Sequence, residues 1–240
     1  MEIGIIGFGS FGQLIAKELK NDFDVFVWNR SDRSGEAKKL GVNYVPIGDA
    51  ASKEIVILAT AISSFEEILK KVKGHIKKGA LVADVCSVKE YPVGLMRKIL
   101  PEDIEILGTH PLFGPDSFKF KENRKIVLCP VRIKNGKLEG IKNYLEKKGY
   151  KTIITTAEEH DAAIARTQVL VHFIGRSLER MDLKENEIDV MTYRKLLEIM
   201  DVVKNDSWQL FLDIEKKNKY AEKVREEFVK NAIRLNEELK

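Results

Sequence analysis

Short apolar segments alternate with amphipathic segments through the first 155 residues, and this alternation restricts the fold more than any other feature of the chain. The apolar segments have the length of buried strands, and the segments between them repeat apolar residues at helical spacing. Strands are predicted at 2–6, 24–28, 54–58, 80–84, 104–108, 125–129 and 150–154, and helices near 10–20, 34–40, 64–73, 88–99 and 137–148. Strands joined by crossover helices predict an α/β fold with a doubly wound, mostly parallel, Rossmann-like sheet.

The pattern changes near residue 155, after which no strand signal is found. Long amphipathic segments at about 157–182, 187–204 and 206–239 predict three helices. We therefore expect a Rossmann-like domain at 1–155 and an all-helical domain at 156–240. A helical piece of this size with long apolar stripes often buries them against a second subunit, so we expect a homodimer formed through the C-terminal helices.

Composition argues against several classes of protein. The 41 Lys and Arg residues nearly balance the 37 Asp and Glu residues, and the two signs are interspersed, so no nucleic-acid partner is indicated. No apolar run reaches the roughly 18–20 residues that a membrane span needs. The N-terminus enters a strand without a basic segment, so we expect no signal peptide and a cytoplasmic location. Cys86 and Cys129 have neither zinc-site nor disulfide spacing, so no metal is expected.

A glycine-rich turn joins the first predicted strand to the first predicted helix. Residues 7–12 read GFGSFG, the G-x-G-x-x-G spacing of dinucleotide-binding proteins. Gly7 permits the tight turn, Gly9 lets a pyrophosphate approach the backbone and Gly12 lets the helix pack closely, while the helix N-terminus offers free N–H groups. A turn without a ligand is the alternative, but it does not need three glycines in this register. The cofactor-binding candidates here are Gly7, Phe8, Gly9, Ser10, Phe11 and Gly12.

The end of the second predicted strand favours one nicotinamide cofactor over the other. NAD sites usually place Asp or Glu there to bind the ribose 2′-hydroxyl, whereas this chain reads Asn29-Arg30-Ser31. Arg30 can pair with a 2′-phosphate and Ser31 can donate a hydrogen bond to it, so NADP is expected rather than NAD. The alternative is a surface turn with a solvated arginine. Ala59 and Thr60, which follow strand 54–58, complete the cofactor-binding candidates.

Two further polar segments follow predicted strands. Residues 84–89 (DVCSVK) end one strand and open a helix, and residues 108–115 (GTHPLFGP) are expected to form an irregular loop after the next strand. Doubly wound sheets bind ligands at the carboxyl ends of their strands, so both segments are expected to border one cleft. A histidine in such a loop is a catalytic candidate, and Ser87 is then suited to hydrogen-bond His110 and set its tautomer.

These segments together resemble the prephenate/arogenate dehydrogenases of tyrosine biosynthesis. The resemblance rests on GFGSFG, DVCSVK, GTHPLFGP and, further on, EHD and TQVLVH, and it extends from Met1 to about Asn218. The plant-like and archaeal NADP-type members are the most similar. The resemblance implies oxidative decarboxylation of prephenate to 4-hydroxyphenylpyruvate, or of arogenate to tyrosine. It also implies that His110 is the base at the substrate's 4-hydroxyl and that Ser87 is its partner.

The resemblance also implies substrate contacts in the helical domain. Gln168, His172 and Arg176 recur every four residues as a polar stripe on an apolar helix, and His172 matches a substrate-contacting histidine of the family. A polar stripe among apolar residues needs partners, which are either the anionic substrate or a structural network. We favour the substrate for His172 and the network for Arg176. The substrate-binding candidates are His172, Arg194, Gln168 and Thr109.

One departure from the family concerns the substrate carboxylate. Many prephenate-specific members carry a second arginine on the helix of Arg194, and here that position falls near Asp201-Val202. Prephenate is our first hypothesis, and arogenate stays open. Two other classes remain as alternatives. One is another NADP-dependent Rossmann and helical-domain dehydrogenase, of β-hydroxyacid or imine-reductase type, which does not predict the His-Pro segment. The other is a non-catalytic dinucleotide-sensing module.

Overall fold

The computed structural model describes residues 1–118, 120 and 124–240, and the chain separates into two compact units, Met1–Glu158 and Glu159–Lys240. The sequence places the division after residue 155, and the structure places it after Glu158. In the described part of the chain, no helix combines the length and apolar character needed to cross a bilayer.

The first unit is built on a sheet of eight strands in the order β3-β2-β1-β4-β5-β6-β7-β8. The strands are β1 (Glu2–Ile6), β2 (Asp24–Trp28), β3 (Asn43–Tyr44), β4 (Ile55–Leu58), β5 (Leu81–Asp84), β6 (Glu105–Pro111), β7 (Lys125–Arg132) and β8 (Lys151–Ile154). Neighbouring strands run parallel except β6 and β7, which are antiparallel. The expected mostly parallel α/β sheet is confirmed, and all seven predicted strands are present.

Six α-helices belong to the described part of this unit: α1 (Ser10–Leu19), α2 (Ser34–Leu40), α3 (Ile47–Ala51), α4 (Phe65–Val72), α5 (Glu90–Ile99) and α6 (Asn135–Lys147). Five of them match predicted helices. The sequence analysis missed α3 and β3, because five and two residues are too short to show a period. The core consists mainly of the buried aliphatic side chains of β1, β2, β4, β5, β6 and β7.

Strand β6 is longer than predicted. It continues to Pro111, because β7 pairs with it antiparallel and places Leu128 opposite Thr109 and Val127 opposite His110. The expectation that His110 lies in an irregular loop is therefore wrong. His110 occupies a strand position, its residue surface is only 4% exposed, and the loop begins after Pro111.

The second unit is helical, as expected. Its elements are α7 (Ala157–Ile164, which begins at the end of the first unit), α8 (Leu170–Glu179), α9 (Met191–Asn205), α10 (Trp208–Lys217) and α11 (Ala221–Glu238). A π-helical turn, Ala165–Val169, joins α7 to α8. The single helix predicted at 206–239 is wrong, because the chain breaks around Asn218. The Asn218 side chain donates to the Asp161 carbonyl oxygen at 2.8 Å and accepts from the Tyr220 N–H at 2.9 Å.

Candidate active site

The glycine turn after β1 is closely packed at two of its three glycines. Gly7 has a φ of +105°, and its N–H donates to the Trp28 carbonyl oxygen at 2.8 Å. A Cβ at Gly7 would lie 2.2 Å from the Ala59 carbonyl oxygen, and a Cβ at Gly12 would lie 2.0 Å from the Gly7 carbonyl oxygen. Only glycine fits these two positions, because the strand, the turn and α1 approach one another at backbone distance.

The third glycine faces open space. A Cβ at Gly9 would meet no described atom within 4 Å. Helix α1 starts at the next residue, its first turn carries no acidic residue, and no described side chain caps it. The N–H groups of this helix end are therefore open to an anion at Gly9 and Ser10, as a dinucleotide pyrophosphate requires. Phe8 differs from its neighbours, because its side chain is fully buried in the core and has a packing role.

Asn29, at the end of β2, supports the glycine turn. Its Oδ1 accepts a hydrogen bond from the Phe8 N–H at 2.9 Å. Its Nδ2 donates to the Ser31 carbonyl oxygen at 3.2 Å and to the Ser31 Oγ at 3.0 Å. A carboxylate at this position has no N–H to donate to Ser31. The Asn29 amide thus joins the glycine turn to Ser31 in one hydrogen-bonded arrangement.

Arg30 points outward and pairs with α4. Its Nη2 lies 3.3 Å from the Glu67 Oε2, and the two side chains are 63% and 71% exposed. An ion pair this exposed is weak and easily exchanged for another anion. Asp32 accepts from the Ser34 N–H at 2.9 Å, which lowers the pKa of its carboxyl group and commits it to the start of α2. No described acidic side chain contacts Asn29 or Ser31 through a hydrogen bond.

The end of β4 completes this part of the edge. The Ala59 N–H donates to the Ile6 carbonyl oxygen at 2.8 Å, so Ala59 continues the pairing of β4 with β1. The Thr60 hydroxyl oxygen is buried and has no hydrogen-bond partner among the described residues. A buried hydroxyl without a partner is uncommon in native proteins. Both residues follow β4 at the carboxyl edge, next to the glycine turn.

Strands β5 and β6 bring the other two candidate segments to the same edge. The strands are parallel, with Asp84 paired to Gly108, so Ser87 and His110 both lie just beyond this register. Ser87 is half-buried in the connection to α5, and His110 is buried near the end of β6. The two candidate catalytic residues are thus on neighbouring segments at the ligand-binding edge of a doubly wound sheet.

Asp84, Lys89 and Thr109 form a cluster between these segments, which we call the Asp84 cluster; Asp84 and Lys89 are buried and Thr109 is half-buried. The Lys89 ammonium is paired with the Asp84 carboxylate, and both side chains are 0% exposed. Burial raises the pKa of the Asp84 carboxyl, and the Lys89 charge opposes that rise. Thr109 donates from its hydroxyl to the Asp84 carbonyl oxygen at 2.5 Å. The structure thus gives the Thr109 hydroxyl a framework contact, where the sequence predicts a substrate contact.

Asp84 and Lys89 were not among the predicted site residues, although both lie in the DVCSVK segment. The sequence signal that could have indicated them is a charged residue at the end of an otherwise apolar strand, followed by a lysine five residues later. Ionised side chains are seldom fully buried unless paired, so these two were candidates for a mutual contact.

In the second unit, His172 and Arg176 meet at Asp206. The His172 Nε2 lies 3.4 Å from the Asp206 Oδ2, and the Arg176 Nη2 donates to the Asp206 carbonyl oxygen at 2.5 Å. Burial lowers the pKa of the His172 imidazole, against the attraction of Asp206. The His172 Nδ1 is buried without a hydrogen-bond partner among the described residues. The structural network favoured for Arg176 is present, and it includes His172.

The remaining candidates of this unit are more exposed. Gln168 lies in the π-helical turn, so the regular four-residue stripe expected from Gln168 to Arg176 does not hold across it. Arg194 has a side chain that is 67% exposed and lies 3.8 Å from Asp189. Trp208, at the start of α10, is 49% exposed and packs on Phe211 with ring centroids 4.9 Å apart. His160, in contrast, is buried and contacts Asp161.

An apolar cavity of about 680 Å³ lies elsewhere in the first unit, along one face of the sheet between α1 and α6. Phe11 and Phe113 contribute to its wall, with ring centroids 6.3 Å apart. Its lining includes Thr109 but neither Ser87, His110 nor Gly9. The cavity also reaches Pro111, so it borders the edge that carries the candidate catalytic residues, although the side chains of Ser87 and His110 do not line it.

Comparison with known proteins shows which family this chain resembles. Residues 15–154 match the family described as prephenate dehydrogenase, nucleotide-binding domain, and residues 177–240 match a TYRAAT1-like C-terminal domain. Arogenate dehydrogenase 1, chloroplastic, of Arabidopsis thaliana is 36% identical over 222 residues, covering 88% of this chain and 35% of that protein. A probable arogenate/prephenate dehydrogenase of Methanocaldococcus jannaschii is 30% identical over 255 residues, covering 100% of this chain and 57% of that protein.

A solved structure gives the same fold. The prephenate dehydrogenase of A. aeolicus, in complex with hydroxyphenyl propionate and NAD+, superposes with a TM-score of 0.79 at 23% identity, covering 99% of this chain and 90% of that chain. The chain spans only 35%, 62% and 57% of the first three curated relatives. On the family match over residues 15–154 and the identity to these relatives, this chain belongs to the prephenate/arogenate dehydrogenase family.

Proposed function

We propose that this protein is an NADP-dependent dehydrogenase that oxidatively decarboxylates prephenate to 4-hydroxyphenylpyruvate. The observation that carries the proposal is the position of His110. It is buried near the carboxyl end of β6, beside the β5 end that leads to Ser87 and on the same sheet edge as the open turn at Gly9. Family membership supports this assignment, and the M. jannaschii relative that covers the whole chain is named for this chemistry.

The residues at the carboxyl edge fit a dinucleotide. Gly9 leaves space beside the start of α1, and Ala59 and Thr60 follow β4 at the same edge of the sheet. Arg30 and Ser31 are exposed where a 2′-phosphate would lie, and Asn29 brings no negative charge. When bound, the nicotinamide cofactor supplies the oxidation by accepting a hydride from the substrate.

We assign the transfer of the hydroxyl proton to side chains of the protein. His110 accepts the proton of the substrate's 4-hydroxyl, and Ser87 holds the imidazole in the tautomer that can do so. Loss of the ring carboxylate as carbon dioxide then makes the ring aromatic, and the resulting 4-oxyanion takes the proton back to give the 4-hydroxyl of the product. Aromatisation drives the reaction, so positioning and one base are sufficient. In the second unit, we assign the substrate carboxylate to Arg194, whose guanidinium is mostly exposed, and further contacts to Gln168 and His172.

Arogenate is the second candidate substrate. It is favoured by the 36% identity to a protein named arogenate dehydrogenase 1, and it differs from prephenate in carrying an amino-acid side chain instead of a keto acid. The two candidates share the ring chemistry, so the same His110 role serves both. They differ only in what binds the side chain.

Four assays test the proposal. Protein is mixed with NADP or NAD and with prephenate or arogenate, and reduced nicotinamide is followed by absorbance at neutral pH. We expect turnover with NADP and prephenate. Faster turnover with arogenate would replace the substrate assignment, faster turnover with NAD would replace the cofactor assignment, and no turnover in any assay would refute the function.

Substitution of His110 separates catalysis from binding. His110→Asn should lower kcat by about a hundredfold to ten-thousandfold, because the base is lost, while the Kd for NADP changes little. His75→Asn is the control, because His75 is exposed after α4. Unchanged turnover in His110→Asn would exclude His110 as the base and favour a β-hydroxyacid or imine-reductase type of site, or a non-catalytic module.

A further inference from the structure

The Asp84 cluster contains several hydrogen bonds besides its ion pair. The Lys89 Nζ, besides its pair with Asp84, donates to the Thr109 carbonyl oxygen at 2.6 Å. The Asp84 Oδ2 also accepts from the Cys86 N–H at 2.9 Å. With the Thr109 hydroxyl bound to the Asp84 carbonyl oxygen, four hydrogen bonds join the end of β5, the segment that leads into α5 and the peptide that precedes His110.

The stem of Lys89 passes Gly108. A Cβ at Gly108 would lie 3.4 Å from the Lys89 Cδ, an ordinary contact distance, and closer to Val93 and Cys129, at 2.9 Å and 3.2 Å. Removing two charges from water costs several kcal/mol for each ion, and an apolar pair of similar volume often serves stability as well. Stability alone therefore does not explain a fully buried pair at this edge of the sheet.

We propose that Lys89 is a positioning residue for His110, acting through the Asp84 cluster. Lys89 holds the Thr109 carbonyl group, and Thr109 is held in turn by the Asp84 carbonyl group. The peptide before His110 is thereby fixed against the strand end that leads to Ser87. The paired charges also cancel, so the cluster orients the segment without placing a net charge beside the imidazole. This inference rests on the proposed function of His110.

The chain offers a matched control at the opposite end of β6. Glu105, the first residue of that strand, is paired with Lys137, and the two side chains are 11% and 37% exposed. Lys137→Met therefore removes an ion pair from the same strand at the end distant from His110. Lys89→Met removes the Lys89–Asp84 ion pair, which lies near the His110 end of the strand. Both substitutions replace an ammonium group by an apolar side chain of similar length.

The first experiment compares these two variants in kcat, in KM, in the Kd for NADP and in the NMR resonance of the His110 Cε1–H, assigned with His110→Asn. Lys89→Met should lower kcat by about a hundredfold, the cost of a small misplacement of a catalytic group, and should move the His110 resonance. Its KM and its Kd for NADP should change less than about threefold. Lys137→Met should leave kcat and the resonance as in the wild type.

A double variant separates positioning from stability. Lys89→Met leaves a buried carboxyl group without its cation, and Asp84→Asn combined with Lys89→Met removes that cost. We expect the double variant to recover much of the lost Tm while kcat stays low, because the Thr109 carbonyl still lacks its donor. Recovery of both Tm and kcat would show a structural role only and would overturn the proposal.

Further outcomes also test whether Lys89 positions His110. The proposal is overturned if Lys89→Met loses no more kcat than Lys137→Met, or if its His110 resonance coincides with that of the wild type. If Lys89→Met does not fold, Thr109→Val keeps the ion pair but loses the bond to the Asp84 carbonyl oxygen. It should move the resonance and lower kcat severalfold, and an unmoved resonance would overturn the proposal. If the wild type oxidises neither substrate, the proposed function fails, while the resonance still tests the positioning.

Discussion

At the scale of single residues, the three glycines of the turn after β1 have different physical duties. Gly7 and Gly12 are required by backbone approach, since a Cβ would lie within 2.2 Å of a carbonyl oxygen at both positions. Gly9 is surrounded by open space, so the fold does not require it. A ligand that approaches the backbone there is the remaining reason for a glycine.

Gly9→Ala should therefore separate folding from binding. We expect a Tm close to that of the wild type, because the added methyl group meets no described atom, and a Kd for NADP that rises roughly tenfold, about 1.4 kcal/mol. Gly94→Ala, also in open space but on α5, is the control and should bind NADP normally. Normal NADP binding by Gly9→Ala would place the phosphates elsewhere. Titration of both variants with NADP makes the comparison.

Arg30 and Glu67 give a second prediction at this scale. If Arg30 binds the 2′-phosphate, Arg30→Ala should weaken NADP roughly tenfold or more and leave NAD nearly unchanged. Glu67 competes for the same guanidinium across 3.3 Å, so Glu67→Gln should strengthen NADP binding by up to about fivefold, the scale of an exposed ion pair. Glu66→Gln, one residue earlier on α4, removes the same charge as a control. An NADP/NAD ratio unchanged in Arg30→Ala would remove Arg30 from the cofactor site.

At the scale of elements, the contact between α8 and the end of α9 contains a buried histidine. Burial lowers the pKa of His172 below its ordinary value of 6.5, with Asp206 opposing and Arg176 adding to the effect. The folded protein therefore leaves this ring neutral at a pH where the unfolded chain protonates it. The unfolded state then binds more protons, so the free energy of unfolding rises with pH in the window just below 6.5.

We expect the free energy of unfolding to fall as the pH is lowered below 6.5, by up to about 1.4 kcal/mol for each unit by which the two pKa values differ. His172→Asn should flatten this part of the pH dependence, and His75→Asn should keep it. Urea unfolding at several pH values measures the slope. An equal slope in the wild type and His172→Asn would mean that another group is responsible.

At the scale of the whole molecule, the helical unit leaves apolar side chains uncovered. Val202 on α9 is 66% exposed and Ile233 on α11 is 53% exposed, and Ile188, Met191 and Leu235 are exposed as well. Apolar patches on a soluble domain often mark a subunit interface. We therefore keep the prediction of a homodimer formed through the C-terminal helices.

Light scattering at micromolar concentration tests whether the protein is a dimer. The wild type should have twice the mass of the chain, 27.4 kDa. Val202→Asp and Ile233→Asp should shift the protein toward the monomer, because a buried carboxylate in an apolar interface is costly. Lys204→Asp, an exposed polar position on the same helix, should remain dimeric. A monomeric wild type would contradict the prediction.

The sequence by itself determined the sheet, the glycine turn and the candidate residues. Period, strand length and the G-x-G-x-x-G spacing are local properties, so all seven predicted strands are present and the turn lies between β1 and α1. The predicted acid-free end of β2 is also a local property, and Asn29 there joins the turn to Ser31.

Only the tertiary structure decided what depends on partners distant in the chain. Pairing with β7 extends β6 through His110, and a hydrogen bond from Asn218 to Asp161 accompanies the break in the last predicted helix. The pairing of Lys89 with Asp84 and Thr109 depends on parallel strands that bring residues 84 and 109 together. Spacing in the sequence shows which residues are available, but burial and hydrogen bonding across strands decide which of them meet.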